Sequence, residues 1–338
     1  MMFKRANEAI TGGRNRLVDA LKGGAIISLV FAHSILLNDP HHDENVIFRV
    51  LMSFLMPLFM FLSGYIIHTQ LPYPFLYYIR KNAVRLVLPF FVWHGISYLY
   101  FRAKGLDINI LNHYLSLLKS PDQGLWFLWV LFWMSILLFG TLKFTRWRNR
   151  ERWENVFVLI ALLMTRFAST DTLGLAEIKQ YFPYYLAGFL FWKYRKHFLQ
   201  KQLIYYGLSF IIFPLLVYFW RRNAFPTFYP SLAEWLGSGI ARLIVSIYKY
   251  VVSFTGMATF SGLFGIISLT RIYPFFSWVG TMSLDIYACH RYFIPLSGND
   301  LGHYLLDASI AMVCSLLLTL LVMKRFRITR LLLLGQMK

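Results

Sequence analysis

The sequence predicts an all-α fold, a polytopic membrane helical bundle with about ten transmembrane helices and both termini cytoplasmic, on three observations. Of its 338 residues, 58% are hydrophobic and 19% aromatic while only 14% are charged, more apolar surface than a soluble domain can cover. Uncharged runs long enough to cross a bilayer recur down the whole length, with no long polar block between them. The basic residues fall in short clusters between these runs and not on one face, so a formal charge of +19 reads as membrane orientation and speaks against a nucleic-acid surface.

The expected spans run, in order, Leu21 to Leu37, Val46 to Ile67, Ala83 to Phe101, Leu125 to Leu142, Val156 to Ala168, Ile178 to Trp192, Leu203 to Trp220, Ile240 to Leu269, Phe276 to Leu296 and Tyr304 to Met323. The fifth is short and ends near Arg166, and the sixth holds Pro183 and Gly188, so either can be tilted, broken or re-entrant. This count alternates the charge correctly. Most of the 34 lysines and arginines fall on one side, in clusters such as Lys143 to Arg152 and Lys193 to Lys201, while the other side holds only Arg102, Lys104, Lys119, Lys179, Arg221 and Arg222. The chain is expected to be one membrane domain over residues 1–338, with a cytoplasmic segment at 1–20 and a cytoplasmic tail at 324–338 that lies on the surface. The first span is expected to act as an uncleaved signal anchor, and Cys289 and Cys314 as small packing residues in apolar runs.

The first span carries the most informative stretch, RLVDALKGGAIISLVFAHS from Arg16 to Ser34. Lys22 and His33 are eleven residues apart, about 20° short of full helical register and roughly 16 Å along the axis, so they share a face. Asp19 falls about 40° off the same line. Lys22 as an ordinary interfacial anchor and His33 as a satisfied core histidine would account for the pair, but ionisable groups at membrane depth face a cavity or a functional site by default.

Four further stretches carry chemistry. MPLFMFLSGY, Met56 to Tyr65, combines helix-loosening Pro57 and Gly64 with the hydroxyls of Ser63 and Tyr65. Arg80, Lys81 and Arg85 lead into the third span before Pro89 and can converge on a polyanion, although such a cluster also serves as a plain orientation signal. GLWFL, Gly124 to Leu128, opens the fourth span with Trp126, where an aromatic belt would also put tryptophan. GTMSLDIYACHR, Gly280 to Arg291, brings Asp285, Tyr287, His290 and Arg291 into the ninth span, too many polar groups for a lipid-facing helix. Other groups invite less. His41 and His42 lack helical metal-ligand spacing, His94 reads as a packing histidine, and Arg242 with Lys249 share a face that either lines an acceptor route or snorkels outward.

Taken together, these stretches resemble the acyltransferase 3 family of integral membrane acyltransferases, especially its short, fucose 4-O-acetylase-like members. The family's early basic-x10-His motif corresponds to Lys22 and His33, here with lysine in place of the more usual arginine and with Gly23-Gly24 following. MPLFMFLSGY, the basic stretch ending RLVLP, GLWFL and the late G..SL.IY..H pattern follow in family order over most of the chain. The resemblance implies a bacterial inner-membrane O-acetyltransferase that takes an acyl group from acetyl-CoA, or another short acyl-CoA, and delivers it to a hydroxyl of a cell-surface or lipid-linked carbohydrate. It implies His33 as general base or acyl carrier, Lys22, Arg80, Lys81 and Arg85 as donor-binding cations, and Asp19, Ser63, Tyr65, Trp126, Asp285, Tyr287, His290 and Arg291 in supporting roles, with no metal. A transporter or flippase of lipid-linked sugars, or a non-catalytic component of a glycan-assembly complex, would use the same buried charges without consuming thioester.

Overall fold

The computed structural model describes residues 15–106, 109–119, 121, 125–147, 153–167, 172–222 and 224–336, and all regular structure among them is helical. Among the described residues, six stretches are long and apolar enough to cross a membrane by length and composition: Arg16–Asn38, Val46–Gln70, Phe75–Ala103, Trp126–Trp147, Ser238–Ile267 and Leu301–Met323. A seventh arises if Thr172–Gln200 and Gln202–Val217, bent by 96° at their junction, make one span. The described residues cluster into two compact units, one within residues 15–59 and 194–316 and one within residues 60–193 and 317–336.

In the first unit, helix α1 (Arg16–Asn38) starts where Asn15 Oδ1 accepts the backbone N–H groups of Leu17 and Val18 at 3.0 and 3.3 Å, and Asp19 adds a carboxylate in the first turn. The helix thus begins inside the expected amino-terminal segment. Its partner is not one ninth helix but a broken one, α12 (Tyr273–Gly280) and α13 (Ser283–Cys289), followed by a 3₁₀ turn at His290–Phe293. Met282 leaves the helical region with ψ 10°, and Ile294 is extended because Pro295 follows it. Glycine is what lets α1 and α12 meet: a Cβ on Gly23 would stand 1.9 Å from the Phe276 carbonyl oxygen, and one on Gly280 1.7 Å from that of Asp19. Gly23-Gly24 is therefore a packing requirement. The remaining helices of this unit are the first part of α2 (Val46–Ile66), α9 (Gln202–Val217), α10 (Tyr229–Leu236), α11 (Ser238–Ile267) and most of α14 (Leu301–Leu318). Ser253 of α11 donates to the Ser53 carbonyl at 2.7 Å, and Phe54 packs edge-on to Phe213.

The second unit contains the end of α2, then α3 (Phe75–Asn82), a π turn at Ala83–Val87, and α4 (Leu88–Ala103). The widened turn has a direct cause: Pro89 has no N–H to give the Arg85 carbonyl, and the ladder shifts so that the Leu88 N–H bonds Ala83. Next come α5 (Ile110–Lys119), α6 (Trp126–Trp147), the short α7 (Glu154–Phe167), α8 (Leu175–Gln200) up to Lys193, and α15 (Arg327–Leu334). Tyr78 stacks on Phe139 at 3.8 Å between centroids, and Lys193 pairs with Glu154 at 2.8 Å. Gly64 of α2 meets the Tyr185 carbonyl, at 1.8 Å from where its Cβ would be. The last turn of the tail packs against this unit. Leu334 is buried, the Leu333 carbonyl accepts from Trp93 Nε1 at 3.1 Å, and Gly335, at φ +62°, ends α15 against the backbone of Val84 and Arg85.

Candidate active site

The sequence residues that converge most closely are His33 and His290, 257 positions apart. His33 Nδ1 lies 2.7 Å from His290 Nε2, and the rings are nearly parallel, 10° between planes with centroids 5.0 Å apart. His33 is half-buried on α1, whereas His290 is wholly buried at the start of the 3₁₀ turn.

The surroundings of His290 determine where the hydrogens go. Its Nδ1 faces the carbonyl oxygens of Ile286 at 3.0 Å and Tyr287 at 2.9 Å, which can only accept, so Nδ1 carries a hydrogen. In neutral His290 the Nε2 is then bare and accepts from His33 Nδ1–H. That leaves the lone pair of His33 on Nε2, which has no hydrogen-bond partner among the described residues. The arrangement is a base whose tautomer is set by a second imidazole, itself set by main-chain carbonyls. Arg291 and Arg222 lie near enough for their charges to act on His33.

The other expected residues divide between the two units. In the first, Asp19 and Lys22 lie on α1, the former buried and the latter half-buried, while Asp285 and Tyr287 are buried on α13 and Arg291 is exposed beside His290. In the second, Arg80 and Arg85 are exposed on α3 and the π turn. Lys81 is half-buried and engaged, donating to Gln70 Oε1 at 2.9 Å over the ring of Tyr73. Ser63 and Tyr65 are half-buried on α2, and Tyr65 packs beside His68, which stacks on Trp192 at 4.2 Å. Trp126 stacks on Tyr181 at 5.0 Å, while Gly124 of the same motif lies outside the described residues.

Among the histidines set aside, His94 is buried edge-on to Phe90, and His42 bonds the Asp39 carbonyl at 3.0 Å in its turn. Lys249 donates to the carbonyls of Arg222 and Ala224, each at 3.4 Å, and so supports the turn that presents Arg222. Both cysteines are free thiols. Sequence reasoning passed over Asp307 and Arg49, each an ionisable residue inside an apolar run and buried in the structure, a signal that buried charge in a membrane helix supplies.

A profile of the acyltransferase domain common to the acyltransferase 3 family matches residues 15–324, nearly the whole chain. The chain belongs to the acyltransferase 3 family. Within curated proteins it is similar to the nodulation protein NolL of Sinorhizobium fredii (strain NBRC 101917 / NGR234), 28% identical over 193 residues, which is 53% of this chain and 50% of that protein. The chain thus matches about half the length of that relative. No solved structure matches it. Among the described residues no group of three or more His, Cys, Asp or Glu side chains that could hold a metal occurs.

Proposed function

We propose that this protein is a multi-pass O-acyltransferase of the bacterial cytoplasmic membrane, moving an acetyl or other short acyl group from coenzyme A to a hydroxyl of a cell-surface or lipid-linked carbohydrate. The topology that goes with this reading has both termini in the cytoplasm and about ten spans, the shorter and broken helices completing the count. What carries the proposal is the free lone pair on His33 Nε2, fixed by the contact of His33 Nδ1 with His290 at 2.7 Å.

His33 Nε2 takes the proton of the acceptor hydroxyl as its oxygen attacks the thioester carbonyl carbon. The charge that appears on the imidazole is shared through Nδ1–H with His290, which is held in register by its own helix carbonyls. Arg291 and Arg222 stabilise the oxyanion as the carbonyl becomes tetrahedral. When the C–S bond breaks, the sulfur leaves as coenzyme A thiol by taking the proton back from Nε2, and the acyl group remains on the sugar oxygen. Arg80, Lys81 and Arg85 in one unit, and Lys22 at the start of the His33 stripe in the other, are each cations of the kind that bind the donor phosphates. Asp285 and Tyr287, in the same unit as the histidine pair, and Asp19 on the helix of His33 support the site, and Ser63, Tyr65 and Trp126 keep the supporting roles that the family resemblance implies.

Labelled acetyl-CoA, purified protein and extracted surface glycan test the reading directly, with mass spectrometry of the glycan identifying the bearer of the acyl group. Release of coenzyme A together with a mass increase on the glycan is expected. Acyl groups found stably on His33 after a single turnover would replace the general base with a covalent carrier, and no thioester consumption with any glycan would overturn the activity.

A further inference from the structure

Asp307 is completely buried (0% exposed) in α14, within an otherwise apolar span. Both of its oxygens are occupied: Oδ1 accepts from Ser297 Oγ at 2.7 Å and Oδ2 from Asn38 Nδ2 at 3.1 Å. The same Asn38 amide donates to the Pro295 carbonyl at 3.2 Å and the Ser34 carbonyl at 3.0 Å, and Ser34 Oγ reaches the Tyr304 carbonyl at 2.9 Å. Three segments therefore meet at one carboxylate. They are the end of α1, five residues past His33; the extended chain that follows the His290 turn; and α14.

A burial-only helix has no need of a carboxylate, and a neutral amide in its place has only one oxygen with which to accept from two donors. The need arises beside it. His290 begins a single 3₁₀ turn, after which the chain runs without helix to Leu301, so nothing intrinsic to that segment fixes its distance from α1. We propose that Asp307, with Asn38 and Ser297, is a positioning clamp that holds the His290 turn against α1 and so sets the contact between His33 and His290. The clamp rests on the reading of those histidines as the reacting pair. A misplacement of about 1 Å at a catalytic constellation costs up to roughly 100-fold in rate, so releasing one arm of the clamp is expected to lower turnover without removing any group that touches substrate.

The experiment compares Ser297→Ala, Ser297→Thr and Asp307→Asn in purified protein, using labelled acetyl-CoA and extracted surface glycan. Ser297→Ala is expected to lower kcat about 10-fold or more while KM for donor and acceptor stays within about twofold, because the acyl-transfer geometry loosens and the binding groups remain. Ser297→Thr, which keeps the hydroxyl, restores kcat. Asp307→Asn is expected to be at least as impaired, and should it fail to fold, the Ser297 pair decides. A second readout does not need activity: in protein labelled with ¹⁵N-histidine, the ring proton between His33 and His290 shifts in Ser297→Ala and returns in Ser297→Thr. A shifted resonance in protein with no transferase activity would leave the clamp standing and remove the acyltransferase reading. Wild-type kcat and an unmoved resonance in Ser297→Ala would overturn the clamp.

Discussion

His33 and His290 differ in what each can lose. His33 presents a free Nε2, whereas both nitrogens of His290 are engaged with His33 and with main-chain carbonyls. On the proposed mechanism His33→Ala removes the base itself and is expected to cost about 10²-fold to 10⁴-fold in rate, with acetyl-CoA affinity unchanged. His290→Ala removes only the group that orients the base and shares its charge, and is expected to leave reduced but detectable transfer. Near-normal turnover in His33→Ala beside a dead His290→Ala would assign the base to the other ring. The spacing from Lys22 to His33 is legible from sequence because it is local to one helix. The partnership of the two histidines is not, since nothing in spacing reveals a contact across 257 positions. From sequence alone His290 suits either holding an acceptor or tuning a neighbour, and the structure sets it against His33.

At the scale of elements, hydrophobic runs located the long helices well: the expected eighth span, Ile240 to Leu269, is α11 within two residues at each end. The ninth was misread as continuous because its apolar composition does not record the Met282 kink, and the path after His290 is set by Pro295. The packing of α1 on α12 makes a sharp forecast. Gly23→Ala or Gly280→Ala must push two helix backbones apart, a cost of at least the 1–3 kcal/mol typical of an overpacked core, and is expected to lower the thermal midpoint in detergent. Gly207→Ala, whose Cβ meets nothing within 4 Å, is the matched control and should melt like wild type. The π turn before Pro89 carries the donor proposal. Arg80→Gln and Arg85→Gln each delete an exposed cation without touching the core, and each is expected to weaken acetyl-CoA binding by about 1.5–3 kcal/mol, roughly 10-fold to 150-fold. Equilibrium binding of labelled acetyl-CoA reads it, and unchanged affinity in both would move the donor site away from this turn.

At the scale of the whole molecule, charge and chemistry must agree on which side is which. If the amino terminus is cytoplasmic, Lys22 stands at the donor side and His33 lies roughly 16 Å further along the same helix, so phosphates held near Lys22 direct the thioester inward toward the base. The Asn38 to Asn45 turn and the Ser297 to Gly302 loop then face outward, beside the two segments that end at the histidines, and the proposed surface-glycan acceptor would arrive there. On the proposed topology the basic stretch ending at Lys201 belongs to the inner side, as the positive-inside bias requires. A reporter fused after Arg150 or Arg195 is accordingly expected to read as cytoplasmic, and one inserted at residues 38–45 or 297–302 as external. The two outer insertions test different things: the first depends only on α1 crossing, the second also on an even number of crossings between the two, as the expected second to ninth spans supply. If residues 38–45 report outside and 297–302 inside, the broken helices after Tyr273 do not traverse as proposed, and the acceptor route has to be sought on the opposite side of the His33 and His290 pair. If residues 38–45 and the Arg150 fusion report the same side, the ten-span arrangement fails within its first half.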